Sequence, residues 1–239
     1  MRLHYLQHVP LETPGSILSW AREQGHTITR TLLYADEGLP GTDSFDWLVI
    51  MGGSMNVYEE DLYPWLVREK AFIREAIGAG KVILGFCLGG QLIADAIGGK
   101  VTRNDRPEFG WCPIRWSAEA RSDPLFTFFP PECIVFQWHG DTFSVLPSEA
   151  IMLARSEVCE HQAFAYRERV FGFQFHLENT PEMVRAMVEE CADDMGSDAC
   201  DTSSQEMMAH PEHFEQNNLW MSEFLTRLAA RGRERKWHH

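Results

Sequence analysis

What this 239-residue sequence lacks narrows its function before any motif is read. No apolar run is longer than a strand, far short of the ~20 residues that a membrane-spanning helix needs. Residues 1–5 lead into a strand-like segment without the apolar core of a signal peptide, so the expectation is a cytoplasmic protein with no membrane partner. Basic residues are scarce: 21 Lys and Arg stand against 35 Asp and Glu, and the net charge of −14 argues against a nucleic-acid partner, whose phosphates demand a basic surface. Six cysteines (Cys87, Cys112, Cys133, Cys159, Cys191 and Cys200) fall at irregular distances with no Cys-x-x-Cys pair, so neither a zinc site nor a disulfide framework is indicated. Most of them read as reduced packing residues.

Two other signatures are incomplete. Gly78-Ala79-Gly80-Lys81 is followed by Val82 where a phosphate loop needs Ser or Thr, which excludes nucleotide binding there. His210-Pro211-Glu212-His213 is not His-Glu-x-x-His, and Pro211 would break or begin a helix, so the segment reads as a surface loop and no metal site is expected. Internal repeats and low-complexity segments are missing too.

What remains is the composition of a globular protein, 44% hydrophobic and 23% charged, long enough for one full core and read as a single domain over residues 1–239. Strand-like residues 2–9 and 27–34 flank a helical segment around Ile17-Leu18-Ser19-Trp20-Ala21. A third strand, 45–51, ends in Gly52-Gly53-Ser54-Met55, whose glycines let backbone approach a ligand. Residues 62–77 carry apolar side chains at helical spacing, and Gly78-Ala79-Gly80 stops them before the strand that starts near Lys81. This alternation predicts an α/β fold with an open, mostly parallel sheet and helices on both faces. Short strands at 111–116, 133–138, 150–154, 162–166 and 170–175 follow, a short antiparallel set in the second half, with His139 in a polar loop. Helices over 180–191 and roughly 204–231 close the chain, the second with an apolar stripe of Leu219, Phe224, Leu225 and Leu228. Residues 193–198 read as a polar loop, and the basic end, 231–239 with its terminal His238-His239, reads as frayed.

Gly85-Phe86-Cys87-Leu88-Gly89 joins a strand to a helix through a turn that can hold a thiol at the strand tip. Cys87 is the candidate nucleophile, and on this motif alone a small buried hydrophobe explains it equally well. In a parallel sheet, ligands bind outside the carboxyl ends of the strands, and the Gly52-Gly53 loop and the Cys87 turn both belong there. A thiol nucleophile needs a base, and the base needs an orienting partner. His176 and Glu178, two apart in Gln174-Phe175-His176-Leu177-Glu178, share a face if that segment is extended. Taken alone, they read as a satisfied histidine and a solvated acid near a helix start.

Together, Gly85-Phe86-Cys87-Leu88-Gly89-Gly90-Gln91 and Gln174-Phe175-His176-Leu177-Glu178 resemble the two signatures of the class I, triad-type glutamine amidotransferases, Gly-x-Cys-x-Gly-x-Gln and Gln-Phe-His-Pro-Glu, in the family's order. The resemblance covers most of the chain and implies a flavodoxin-like amidotransferase fold. It also implies catalysis by Cys87, His176 and Glu178, an oxyanion hole of the Gly53 and Leu88 N–H groups, and substrate contacts from Gln91. The family's substrate loop falls where Trp138 and His139 stand, a looser match for which a packing tryptophan and a surface histidine serve as well. Glu108-Phe109-Gly110-Trp111 resembles another loop near the family's site, or Glu108 is simply solvated.

The implied chemistry is hydrolysis of a γ-glutamyl amide through a Cys87 thioester, with glutamine as the expected substrate and no cofactor. Ser54 and Leu177 stand where many members have proline, which loosens any inference about the donor. Three readings stay open: a glutaminase serving a synthetase partner, a free-standing hydrolase of γ-glutamyl amides or peptides, and a binding or regulatory protein with a silent site.

Overall fold

The computed structural model describes residues 1–190, 204–235 and 237; Cys191, Cys200, the loop read at 193–198, His238 and His239 lie outside the described residues. The chain opens with β1 (Arg2–Gln7), α1 (Ser16–Glu23), β2 (Thr27–Leu32), β3 (Trp47–Ile50), α2 (Trp65–Gly78), β4 (Val82–Phe86) and α3 (Leu88–Ala96). It continues through β5 (Lys100–Trp116), α4 (Ala118–Ser122), β6 (Glu132–Val145), β7 (Ala150–Arg155), β8 (Ala163–Tyr166) and β9 (Val170–Phe173). Helices α5 (Pro181–Glu190), α6 (Ser204–Met208) and α7 (Pro211–Glu234) follow.

All the strands belong to one sheet, ordered β2-β1-β3-β4-β9-β8-β7-β5-β6. From β2 to β9 the neighbours run parallel, and from β9 to β6 they run antiparallel. Strand alternation sorts the core onto two faces. Leu3, Tyr5, Trp47, Val49, Leu84 and Phe86 pack with Ile17 and Trp20 of α1 and with Phe224, Leu225 and Leu228 of α7. Leu6, Leu48, Ile50 and Ile83 pack with Leu66 and Ile73 of α2 and with Leu92 and Ile93 of α3. Helices therefore cover both faces, and β4 lies inside the parallel half with its carboxyl end beside those of β3 and β9.

The second half departs from the expected pattern in four places. β5 and β6 form a long antiparallel pair rather than short strands, and the register Glu108↔His139 puts His139 inside β6 with Trp138, not in a loop. β9 ends at Phe173, so His176 and Glu178 lie beyond the regular strand, where a bridge between Phe136 and His176 carries the chain on. The last helical stretch splits into α6 and α7, because Pro211 lacks an N–H and is accepted only at a helix start. Leu219 is exposed rather than packed on the sheet, whereas Trp237 in the expected frayed end is buried, with the Arg169 guanidinium 4.8 Å from its ring centre. Among the described residues no helix is long and apolar enough to cross a membrane.

Candidate active site

Cys87 sits between β4 and α3 with φ 49° and ψ −112°, a left-handed conformation that side chains other than glycine rarely adopt. Its backbone is held from both sides: Cys87 N–H donates to the Phe173 carbonyl of β9 at 2.8 Å, and its own carbonyl accepts from Gln91 N–H at 3.0 Å. Close approach explains the neighbouring glycines. A Cβ at Gly89 would overlap the Ile50 carbonyl of β3, and one at Gly85 would lie 2.5 Å from the Gly89 carbonyl group, so α3 can start immediately against the sheet only with both residues bare. The strained turn thus holds the thiol where a helix N-terminus begins, with backbone N–H groups still free to act as donors.

Beyond β9 the chain carries the imidazole up to that turn. His176 N–H donates to the Phe136 carbonyl at 2.8 Å, and Nδ1 lies 2.6 Å from Glu178 Oε1. The second oxygen, Oε2, accepts from the Leu177 N–H at 3.0 Å, and the Glu178 carbonyl accepts from Ser16 N–H at 2.9 Å, so this carboxylate is fixed from several directions. Glu178 is fully buried and not the solvated acid that the sequence also allowed. The remaining ring nitrogen, Nε2, is buried with no hydrogen-bond partner at bonding distance among the described residues, while the Cys87 thiol donates to the Trp138 carbonyl at 3.5 Å.

Electrostatics tie the two groups together. Burial pushes the Cys87 thiol up, and interaction with His176 opposes the shift without cancelling it. Burial alone would lower His176, but attraction to Glu178 and interactions with Cys87 carry its pKa well above the ordinary value. Thiol and imidazole lie within interaction range, the imidazole has an open nitrogen, and a carboxylate fixes the other; that arrangement can take a proton from sulfur and return it.

In front of the thiol is a cavity of about 200 Å³ lined by Gly53, Leu88, Gln91, Trp138 and His139 as well as Cys87. It is smaller than the ~300–1,000 Å³ of drug-sized pockets, a size suited to an amino-acid side chain. Gln91 gives its amide hydrogens to the Asp141 carbonyl at 3.0 Å and to Gln174 Oε1 at 3.2 Å. The Trp138 ring stacks on Phe136 and meets Phe109 edge-on. His139 is buried rather than a surface residue, with Nε2 3.1 Å from Glu108 Oε2 and Nδ1 2.9 Å from the Asp141 carbonyl. Glu108 is likewise buried, and it also accepts from Gln162 at 2.6 Å. A larger groove of about 420 Å³ between Arg115, Glu132 and Arg155 holds neither thiol nor imidazole.

Two features escaped the sequence reading. Glu12 reaches over Gly52, occupying the space that a Cβ there would need, and the same Cβ would lie 3.5 Å from that of Cys87. Burial raises the Glu12 carboxyl, with attraction to His176 and His8 acting against it. Below the glycine loop, His8 bridges the Gly52 carbonyl and Glu69. Both His8 and Glu12 follow β1, whose carboxyl end adjoins β3; the switch-point rule that located the other two loops would have found them as well. Away from the cavity, His210, Glu212 and His213 bring potential metal-ligand atoms within 4.8 Å of one another, although His210 Nδ1 already pairs with Glu212 at 2.9 Å. They stand at the start of α7 rather than in a loop.

Comparison with known proteins bears on this geometry. The family model Glutamine amidotransferase class-I matches residues 17–193. The glutamine amidotransferase-like protein YfeJ of Salmonella typhimurium is 36% identical over 204 residues, which are 82% of this chain and 85% of that protein. The glutamine-hydrolysing GMP synthase of Caldicellulosiruptor saccharolyticus is 38% identical over 132 residues, 55% of this chain and 24% of the synthase. Among solved structures, a glutamine amidotransferase from Thermotoga maritima aligns with a TM-score of 0.87 at 28% identity, covering 95% of this chain and 97% of that one.

Proposed function

The chain belongs to the class-I glutamine amidotransferase family, and from that premise we propose that it is a single-domain cysteine amidohydrolase that cleaves a γ-glutamyl amide, with glutamine as the donor. The observation that carries this reading is His176, whose Nδ1 is held by Glu178 while its Nε2 has no hydrogen-bond partner among the described residues and its charge interacts with Cys87. Cys87 Sγ attacks the γ-carbonyl carbon as its proton passes to His176 Nε2. Negative charge gathers on the carbonyl oxygen, where the Leu88 N–H at the start of α3 and the Gly53 N–H at the cavity wall serve as donors.

Collapse of this intermediate breaks the carbon–nitrogen bond, and His176 returns the proton to the departing ammonia or amine. Water then attacks the thioester with His176 again taking its proton, which releases glutamate and restores the thiol. Glu178 keeps the imidazole oriented and supports its charge throughout. Gln91, Trp138 and His139 shape the wall that receives the glutamyl group, Gln91 and His139 by holding the Asp141 carbonyl and Trp138 through its backbone carbonyl.

The relatives leave two fates for the ammonia, delivery to a synthetase partner or release by a free-standing hydrolase. A purified sample measures both: ammonia and glutamate release from glutamine, alone and with candidate synthetases, and intact mass after brief exposure to donor. The expected result is an acylated Cys87 in the wild type and none in Cys87→Ala. A wild type that neither turns over nor becomes acylated with any γ-glutamyl donor would leave the silent binding protein as the reading.

A further inference from the structure

We infer that His8 is a positioning residue, a buried imidazolium that holds and polarises the Gly52–Gly53 peptide so that the Gly53 N–H faces the cavity as an oxyanion donor. The inference rests on the reading of the site proposed above. His8 follows β1 and is fully buried, and both ring nitrogens are engaged: Nδ1 lies 2.9 Å from the Gly52 carbonyl oxygen and Nε2 2.9 Å from Glu69 Oε1. A carbonyl oxygen and a carboxylate oxygen both accept, so a ring that satisfies the two must donate twice, which only the doubly protonated form can do. Burial opposes that charge, but attraction to Glu69 and the hydrogen bonds to Glu69 and Gly52 outweigh it and raise the His8 pKa.

The surroundings hold the ring in place. Trp65, the first residue of α2, stacks on His8 with ring centres 5.3 Å apart, and Glu69 follows one turn later on the same helix. Glu69 and Glu12 are the acids whose attraction reaches His8. In a trans peptide the carbonyl and the following N–H point in opposite directions, and the described chain has no cis peptide bond. With the Gly52 carbonyl drawn to His8, the Gly53 N–H must face the other way. Gly53 lines the cavity together with Cys87 and Leu88, and among the described residues its N–H has no hydrogen-bond partner, so a donor is left open there. A charged donor on the carbonyl also strengthens the N–H of the same peptide through hydrogen-bond polarisation.

Glutamate γ-semialdehyde tests this without turnover. Its aldehyde adds to Cys87: the carbon–sulfur bond forms, the carbonyl π bond opens onto an oxygen that enters the oxyanion hole, and the thiol proton stays on His176, so an oxyanion faces the hole and an imidazolium balances its charge. Iodoacetamide, which alkylates the thiol without generating an oxyanion, is the control. His8→Phe keeps a ring for Trp65 and removes the donor, and His8→Asn keeps a donor near the Nδ1 position.

The expected result for His8→Phe is semialdehyde affinity and glutamine kcat lowered by roughly 10–100-fold, below the ~10²–10³ for deleting an oxyanion donor outright. Glutamine KM and the alkylation rate should stay near wild type, with partial recovery in His8→Asn. Unchanged semialdehyde affinity in His8→Phe overturns the inference. So does an equal loss of alkylation and affinity that His8→Asn does not relieve, since that marks general damage to the site. If His8→Phe fails to fold, ¹⁵N spectra of the wild-type histidines decide: protons on both His8 nitrogens support the inference, and a singly protonated ring overturns it. A wild type that takes up no semialdehyde at Cys87 overturns the reading of the active site itself, and this inference with it.

Discussion

The Leu177 N–H donates to Glu178 Oε2 at 3.0 Å, a hydrogen bond that a proline at position 177 could not make. One carboxylate therefore serves two donors, since its other oxygen holds His176 Nδ1 at 2.6 Å. The residue that departs from the family signature thus ties the carboxylate proposed to orient His176 to its own backbone.

Glu178→Gln tests that arrangement. An amide has one acceptor oxygen, so if it faces His176 its NH₂ meets the Leu177 N–H, donor against donor. Attraction to Glu178 is the largest influence raising His176, and burial acts downward. The variant should therefore titrate His176 at lower pH, visible by ¹⁵N or proton NMR, and kcat should fall by roughly 10²–10⁴. An unchanged His176 titration would contradict the coupling.

Glu12→Gln acts in the opposite sense on the nucleophile. Glu12 adds to the burial that raises the Cys87 pKa. Neutralising it should lower that pKa, increase the thiolate fraction near neutral pH and speed alkylation of Cys87 by iodoacetamide. The pH dependence of the alkylation rate reads the shift directly.

Strain at the thiol should be measurable as stability. Cys87 holds φ 49° with a side chain attached. Cys87→Gly relieves that conformation and Cys87→Ala does not, so the glycine variant should be the more stable by about 1–2 kcal/mol in urea denaturation. Both should be inactive. Equal stabilities would show that the turn stores no strain.

His4 gives a pH dependence of known sign. It is buried in β1 with its ring nitrogens on Thr29 and Thr31, and burial lowers its pKa to about 4. The unfolded chain binds a proton there below a pH of about 6.5, whereas the folded ring resists until about 4. This contribution to stability is full at neutral pH and is lost as pH falls through that window, up to about 3 kcal/mol at ~1.4 kcal/mol per pH unit. His4→Val should show a shallower acid-side loss in urea midpoints taken from neutral pH to about pH 4. An identical slope in both proteins would contradict the assignment.

The alternation of strand and helix through α3, the glycine punctuation at 52–53 and 85–89, and the paired motifs around Cys87 and His176 were legible in the sequence, because each is a local property of neighbouring residues. Where local pattern misled, a distant partner was the cause. His139 and Glu108 looked like loop and solvent residues until β5 and β6 paired and buried them against each other. Leu219 matched an apolar stripe, but which face of α7 meets the sheet is set by packing rather than by period.

Sequence supplied the candidate nucleophile, base and acid, Cys87, His176 and Glu178, through their resemblance to the two family signatures and not through spacing alone. Only the tertiary structure decided which side chains hold them in place. The open Nε2 of His176, the carboxylate of Glu12 above Gly52 and the His8–Glu69 pair beneath it depend on β1, β3, β4 and β9 ending side by side. Contacts between residues remote in sequence exist only once the sheet order brings those strand ends together.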